Sequence, residues 1–219
     1  MGLTPVPDGE VATIVTTLEM RERPRLRPMP DSALRLVAWQ QPALDAYRTL
    51  FRRVGAPWLW FSRLVMEDTR LAAIIHDPAV AVFAVADRGG VEVGMLELDF
   101  RQDGACELSY LALVHELTGQ GHGRWLMAQA LTLAWRPGIT RVWVHTCTLD
   151  HPHALGFYRA SGFTAIARTV ETFADPRLTG ILPRRRTRAR RPPGLRALAR
   201  QSDGTIRLSR SRPTSPSTG

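Results

Sequence analysis

The chain has 219 residues, 44% of them hydrophobic, and a formal net charge of +9 at pH 7. This size and composition allow one good hydrophobic core, and without a run of about 18 apolar residues no membrane-spanning helix is predicted. The charge is uneven, because residues 183–219 hold 11 arginines and one acidic residue (net +10), whereas residues 1–182 hold 18 arginines and 19 acidic residues (net −1). A nucleic-acid-binding function is therefore unfavoured and would depend on residues 183–219 alone.

Both ends of the chain are predicted to be disordered around a single domain at residues 11–182. Residues 1–10 lack the basic and apolar segments of a signal peptide, which favours a cytoplasmic location. Residues 183–219 are rich in Arg, Pro and Ser and cannot bury enough apolar surface to offset the entropy of ordering. Cys106 and Cys147 lie in predicted strands, and in a reducing cytosol buried free thiols are favoured over a disulfide.

The first half of the domain alternates strand and helix signals. β-branched residues at 11–19 predict a strand, and a second short strand follows at 34–39. A helix is predicted after Pro42, with Leu44, Tyr47, Leu50, Phe51 and Val54 on one face. Gly55 ends it, and a second helix is predicted at 67–76. Two strands at 80–87 and 91–101 then form a hairpin through Gly89-Gly90.

Aromatic residues cluster between the two predicted helices, at Trp58, Trp60 and Phe61. Two interpretations fit them: a plug in the hydrophobic core, or a loop that faces the substrate. In the strand at 91–101, Glu97 and Asp99 alternate with apolar residues and therefore share one face. That face is either solvated or an acidic patch for a cationic acceptor.

The second half of the domain begins with a predicted strand at 108–114, a turn with Gly119, Gly121 and Gly123, and an apolar helix from Trp125. Strand, glycine turn and helix together point several backbone N–H groups at an anion, which the helix dipole also favours. A Walker loop is excluded because the chain contains no lysine. The dinucleotide fingerprint also fails, because the glycines are spaced G-x-G-x-G and the next strand lacks an acidic residue.

The last elements are a strand at 141–148, a short helix at 152–160 and a strand at 163–173. The turn sequence TGQGHG (118–123) resembles the pyrophosphate loop of the GNAT superfamily of N-acetyltransferases, with Thr118 where Arg or Gln is usual. Downstream, HPHALGFYRASGF (151–163) resembles the GNAT segment N-x-x-A-x-x-x-Y-x-x-x-G-F, with His151 in place of Asn. The strand sequence between them is similar to that of a bacterial GNAT subgroup of unassigned substrate.

The resemblance implies a GNAT-like α/β (α+β) fold of three layers. A mixed, mainly antiparallel sheet would be splayed around acetyl-CoA, with helices on both faces. The implied activity is an N-acetyltransferase in which an amine attacks acetyl-CoA directly in a ternary complex. Acetyl-CoA would be a co-substrate, and no metal is implied, because His151 and His153 beside Asp150 lack further ligands.

The resemblance also assigns roles to individual residues. Leu111, Ala112 and Leu113 would pair with the pantetheine, and the Leu113 N–H would stabilise the oxyanion. His151 and Tyr158 would lie beside the pantetheine arm. Glu107 stands where histone-type members carry a catalytic glutamate, and Tyr158 matches the general acid. Backbone N–H groups would hold the pyrophosphate at Gly119, Gln120, Gly121, His122, Gly123 and Arg124.

The chemistry calls for these residue types independently. An alkylamine has a pKa near ~10 and must lose a proton before it attacks a thioester, so a base such as Glu107 is needed. The tetrahedral oxyanion needs a donor, and the leaving thiolate needs a proton. Structural roles stay open for both residues: Glu107 as a strand-edge residue and Tyr158 as helix packing. His145 is a second candidate base.

The identity of the acceptor is the part of the function that the sequence determines least. Convergence of Glu97, Asp99 and Glu107 in one cleft, covered by Trp58 and Trp60, would favour a small basic amine. A small amine, an amino acid, an aminoglycoside and a protein N-terminus all stay open as acceptors. A non-catalytic acyl-CoA-binding regulator is the alternative function. The sequence leaves the oligomeric state open, a homodimer included.

Overall fold

The computed structural model describes residues 2–25 and 28–184, so most of the predicted tail at 183–219 lies outside the described residues. The strands are β1 (Glu10–Met20), β2 (Arg35–Ala38), β3 (Val80–Ala86), β4 (Glu92–Asp99), β5 (Ala105–Leu113), β6 (Arg141–Cys147) and β7 (Thr164–Ala174). The helices are α1 (Leu44–Gly55), α2 (Asp68–Ile75), α3 (His122–Ala134) and α4 (Ala154–Ala160), with single 3-10 turns at Ala56–Trp58 and His115–Leu117.

The strands form one sheet in the order β2-β3-β4-β5-β6-β1-β7. Every neighbouring pair is antiparallel except β5 and β6, which are parallel. This confirms the predicted mixed, mainly antiparallel sheet. The first strand of the chain is not at an edge, because β1 lies between β6 and β7. The N-terminal strand is thus an internal part of the sheet.

Helices cover both faces of the sheet, as expected. On one face, α1 and α2 pack through Tyr47, Phe51 and Leu71 in a core that includes Met95 of β4. On the other face, side chains of α3 and α4 join Leu96 and Leu98 in a second core. The alternation predicted for β4 is therefore confirmed: its leucines face α3, and its acidic residues lie on the α1 side.

β5 and β6 are paired only over their first halves. The pairing runs from Ala105 with Arg141 to Leu108 with Val144, and beyond it β5 pairs with β4 alone. A register shift in β4 and β5 accompanies the separation, between Glu97 and Leu98. The sheet is therefore split along β5, and the open side of the split is bounded by the last residues of β5 and β6.

Both cysteines are free thiols. Cys106 is buried, as predicted, whereas Cys147 is only half-buried. Across the described ranges, none of the helices has the length and apolar character needed to cross a membrane.

Candidate active site

The turn before α3 exposes a row of backbone donors. Gly119 and Gly121 have φ values of 81° and 86°, in the left-handed region that glycine adopts without strain. Within the described ranges, no backbone carbonyl or side chain accepts a hydrogen bond from the N–H groups of residues 119–123. These donors and the positive end of the α3 dipole can therefore bind a pyrophosphate.

The side chains of this turn point elsewhere. His122 Nδ1 lies 2.9 Å from Ser32 Oγ, so the imidazole is engaged by the β1–β2 connection. Gln120 Nε2 donates to the Glu116 carbonyl over 2.8 Å. A Cβ placed on Gly119 would meet nothing within 4 Å, so the outer side of the turn is open. Anion binding here would thus depend on the backbone amides.

The free edge of β5 presents backbone groups to the split. The Val114 N–H donates to the Val93 carbonyl over 2.8 Å, so it points to β4. Because amide directions alternate along a strand, the N–H groups of Leu111 and Leu113 point the other way, into the split. The amide of Ala112, like that of Val114, points to β4. Residues 111–113 can therefore pair with an extended ligand as another strand would.

Tyr158 lies on α4 within the α3-side core and is 8% exposed. Its ring meets Phe157 and Phe163 edge-on. Burial, and then the Asp150 carboxylate, raise the pKa of Tyr158, so the phenol is protonated at neutral pH. Packing and proton donation are both compatible with this position.

His151 packs edge-on against Trp58, with ring centroids 5.4 Å apart. Burial, and then the nearby His153 and His115, lower the pKa of His151, which keeps the ring neutral. In the described part of the chain, no group of three or more His, Cys, Asp or Glu side chains has an arrangement that could hold a metal ion.

Asp150 is a functional candidate that the sequence analysis considered only as a metal ligand. Its carboxylate accepts hydrogen bonds from Trp60 Nε1 at 3.1 Å, Thr146 Oγ1 at 2.8 Å and the Cys147 N–H at 2.9 Å. It therefore joins the α1–α2 connection to the end of β6, across the split. Its sequence signal is weak: an Asp in a turn after a strand is common for local reasons alone.

The aromatic residues of the α1–α2 connection make packing contacts, as the core interpretation expects, and the substrate-facing interpretation stays a prediction. Trp60 packs on Phe51 and Tyr110, with ring centroids 5.8 and 5.1 Å away, as a core residue would. Phe61 reaches β7, where its ring lies 5.1 Å from that of Phe173. Gly55 permits this path, because a Cβ there would lie 2.6 Å from Trp60 Cβ. The connection thus spans the sheet from the first core to β7.

The three acidic residues lie close together, but two of them are bound by arginines. Glu97 is completely buried and accepts hydrogen bonds from Tyr47 Oη at 2.5 Å and Arg63 Nη2 at 2.6 Å. Asp99 is held by the Arg101 guanidinium, with Nε–Oδ2 at 2.9 Å. Glu97 therefore does not reach the cleft surface, where the sequence analysis had expected it.

Glu107 is the acidic residue of this group without an arginine partner among the described residues. It pairs in register with Asp99 on β4 and Trp143 on β6, so the three side chains share a face. Burial, and then the charges of Asp99 and Glu97, raise the pKa of Glu107 to about 7. A carboxyl with this pKa can accept a proton near neutral pH.

A cavity of about 300 Å³ opens beside Glu107, lined by Asp99, Arg101, Gln102, Glu107 and Trp143. His145 is adjacent, with its Nδ1 3.9 Å from Glu107 Oε1. Burial lowers the pKa of His145, while Glu171 opposes this effect. A neutral imidazole next to Glu107 can take up a proton from it or replace it as the base.

The split between parallel strands, the bare glycine turn and the carboxyl with a raised pKa are the three features of this candidate site. The profile of the acetyltransferase (GNAT) family matches residues 36–163, more than half of the chain. The chain belongs to this acetyltransferase family. No curated protein sequence matches it significantly.

Two solved structures share the fold at low sequence identity, and a third is less similar. A GCN5-related N-acetyltransferase from Sphaerobacter thermophilus has a TM-score of 0.53 and 18% identity, over 74% of this chain and 51% of that one. An aminoglycoside acetyltransferase from an uncultured soil metagenomic sample has a TM-score of 0.51 and 20% sequence identity, over 64% of this chain and 93% of that one. A GCN5-related N-acetyltransferase from Kribbella flavida has a TM-score of 0.49 and 17% sequence identity, and the match covers 78% of this chain and 63% of that one.

Proposed function

We propose that this chain is an N-acetyltransferase that moves an acetyl group from acetyl-CoA to a primary amine by direct attack in a ternary complex. The observation that carries the proposal is the position of Glu107, a carboxyl with a pKa of about 7 that lines a cavity at the paired ends of β5 and β6, one residue before their pairing stops. Membership of the GNAT family supports the acetyl donor.

The residues present fit acetyl-CoA, which would supply the activated acetyl group as a thioester. The backbone N–H groups of residues 119–123 would bind the pyrophosphate, since they have no acceptor in the described structure. Leu111 and Leu113 would bond the pantetheine amides along the free edge of β5. Arg124, in the first turn of α3, is close enough to Gly121 to support the same anion, with Nη2 3.7 Å from a Cβ placed there.

Glu107 would take the proton of the acceptor amine, directly or through water. A base of this kind typically contributes about 10²–10⁴-fold. The His145 imidazole, 3.9 Å from Glu107, would pass the proton towards solvent, because its own side chain is 49% exposed. An N–H of the free edge of β5 would stabilise the oxyanion that forms on attack. The Leu111 N–H, which also points into the split, is nearer to Glu107 along the strand than the Leu113 N–H. The protonated Tyr158 would donate its proton to the leaving sulfur.

The proposed acceptor is a small-molecule amine, with a protein N-terminus as the second candidate. The cavity of about 300 Å³ beside Glu107 is at the lower end of the size of ligand pockets and suits a small molecule. Trp58 and Trp60 would enclose the acceptor from the α1–α2 side. Asp99 would act on it through its ion pair with Arg101, whereas Glu97 would act only by holding Arg63 in place.

Release of free coenzyme A thiol in the presence of acetyl-CoA and a panel of amines tests the proposal. We expect amine-dependent release that Glu107→Gln reduces about a hundredfold or more. The alternative, a non-catalytic acyl-CoA-binding regulator, predicts thermal stabilisation by coenzyme A without release. Product identification by mass spectrometry distinguishes N-acetylation from simple thioester hydrolysis.

A further inference from the structure

The charge arrangement in the cavity beside Glu107 narrows the class of acceptor, on the basis of the proposed function. We propose that the acceptor carries an anionic group close to its amine, and that the Arg101 guanidinium binds this group while Glu107 receives the amine. Arg101 and Glu107 line the same cavity. The site would thus select an amphoteric acceptor over a neutral amine or a polyamine.

The spacing of the two groups suits a short molecule. Glu107 lies opposite Asp99 in the register of β4 and β5. Arg101 is two residues further along, which corresponds to about 7 Å of extended chain. Its side chain folds back towards Asp99, with Nε–Oδ1 at 3.0 Å. An amine at Glu107 and an anion at Arg101 would therefore be separated by a few bonds.

The acidic residues that would attract a second ammonium group are already compensated. The carboxylate of Asp99 receives the backbone N–H, Nε and Nη2 of Arg101 and is only 8% exposed. Burial alone would raise the pKa of Asp99, but the Arg101 hydrogen bonds and charge outweigh it and lower the pKa. Glu97 is fully buried against Arg63. Of the two carboxylates that line this cavity, Asp99 and Glu107, Glu107 is the one without an arginine partner among the described residues.

Arg101 itself has binding capacity left. Its side chain is 42% exposed, and its Nη1 donates to no atom of the described residues. A carboxylate, sulfonate or phosphate group can accept a charge-assisted hydrogen bond there. A second ammonium at the same place would be repelled by the guanidinium. Trp143 lines the same cavity, and its indole can pack against a short aliphatic spacer.

The test uses acceptors that share one 2-aminoethyl skeleton. β-Alanine, taurine and O-phosphoethanolamine carry the three anions, ethanolamine is the neutral member, and 1,2-diaminoethane is the dication. We expect at least one anionic member to exceed ethanolamine about tenfold or more in kcat/KM, because a hydrogen bond between charged groups has this order of effect. The best of the three identifies the anion.

Variants at Arg101 then assign the preference to this residue. In Arg101→Met the ratio of the best anionic acceptor to ethanolamine should fall about tenfold or more, and 1,2-diaminoethane should gain, because Asp99 becomes free. In the double variant Arg101→Met with Asp99→Asn the anion preference should also be lost, but 1,2-diaminoethane should not become a better acceptor. Arg88→Met removes an exposed arginine of the β3–β4 turn and should leave all the ratios unchanged.

Folding is measured for each variant, and Arg101→Lys is the substitute if Arg101→Met does not fold. Lysine keeps the charge but loses the paired geometry, so the ratio should fall by a smaller factor. A wild-type preference for ethanolamine or 1,2-diaminoethane, or equal ratios in all variants, would overturn the inference. Turnover of none of the five acceptors, nor of the wider amine panel, would instead refute the proposed function.

Discussion

The indole Nε1–H of Trp60 donates to Asp150 Oδ1 over 3.1 Å, and this bond crosses the split between β5 and β6. Trp60 belongs to the α1–α2 connection, whereas Asp150 follows β6 and is held there by Thr146 and the Cys147 N–H. The bond therefore ties the α1–α2 connection, which would enclose the acceptor in the proposed function, to the end of β6 beside the proposed coenzyme site.

Replacing Trp60 with Phe tests this tie, because the ring stays but the donor is lost. We expect KM for the acceptor to rise about tenfold to a hundredfold, since a hydrogen bond to a charged group contributes about 1.5–3 kcal/mol. Stabilisation by coenzyme A should be unchanged. Trp135→Phe is the control, because the Trp135 Nε1–H has no acceptor in the described structure. An unchanged acceptor KM in Trp60→Phe would show that the tie is purely structural.

The glycine turn gives a second prediction. Gly121→Val should abolish the rise in Tm that coenzyme A produces, because a β-branched residue at φ 86° is strained and blocks close approach of the pyrophosphate to the backbone. Gly138→Val is the matched control: its φ is 87°, and its Cβ would meet no atom within 4 Å. It should lose a similar amount of stability yet keep the shift. A full shift in Gly121→Val would remove the turn from the coenzyme site.

Much of the fold could be predicted because its signals are local. β-branched runs, glycine breaks and two motifs place the strands, helices and coenzyme turn within a few residues. The pairings could not be predicted in the same way. That β1 lies inside the sheet, and that Arg63 reaches Glu97 on β4, depends on contacts between residues far apart in sequence.

The same limit explains why the ion-pair partners of the acidic residues could not be predicted. Alternation put Glu97 and Asp99 on one face correctly, but an isolated strand does not reveal which arginine will neutralise each carboxylate. Arg101 is near Asp99 in sequence, yet it lies past the end of β4, where no periodic pattern applies. The role of Asp150 could not be predicted for the same reason, because one of its hydrogen-bond partners, Trp60, is 90 residues away in sequence. The charge of the cleft therefore became visible only in three dimensions.

The buried ion pair itself can be tested by stability measurements. Arg63→Met should lower the free energy of unfolding by about 3–5 kcal/mol, because it leaves the Glu97 carboxylate buried without a cation. Arg53→Met, at an exposed position of α1, should change it by less than about 0.5 kcal/mol. Adding Glu97→Leu to Arg63→Met should recover part of the loss. Purely additive effects in this cycle would contradict the direct coupling.

The raised pKa of Glu107 predicts how activity depends on pH. In the wild type, kcat/KM should rise as pH passes about 7, because the base works only when ionised. Glu107→Gln should reduce kcat/KM about 10²–10⁴-fold and abolish this rising limb of the pH profile. Because Arg101 and Arg63 lower the pKa of Glu107, Arg101→Met should move the limb to higher pH. An unaltered limb in Glu107→Gln would transfer the role to His145.

The same group should also affect stability, with a sign that can be worked out. The pKa of Glu107 is about 7 in the folded protein against a usual 4.5, so its contribution is full below pH 4.5 and is lost as pH rises through 7. Glu107→Gln should therefore raise Tm at pH 8 more than at pH 4.5. Glu22→Gln, at an exposed position, should show no such difference. A larger gain at the lower pH would refute burial as the cause of the raised pKa.

Tyr158 gives the last prediction, because packing and catalysis ask different things of its hydroxyl. The ring fills the core between α4 and the sheet, and phenylalanine would preserve that packing against Phe157 and Phe163. If the hydroxyl protonates the leaving sulfur, Tyr158→Phe should lower kcat and kcat/KM together, by about 10²-fold or more, while the coenzyme-dependent rise in Tm stays the same. A faster reaction with a donor whose thiol leaves more easily should partly restore the variant. Equal kcat in the two proteins would mean that Tyr158 is a core residue and that water supplies the proton.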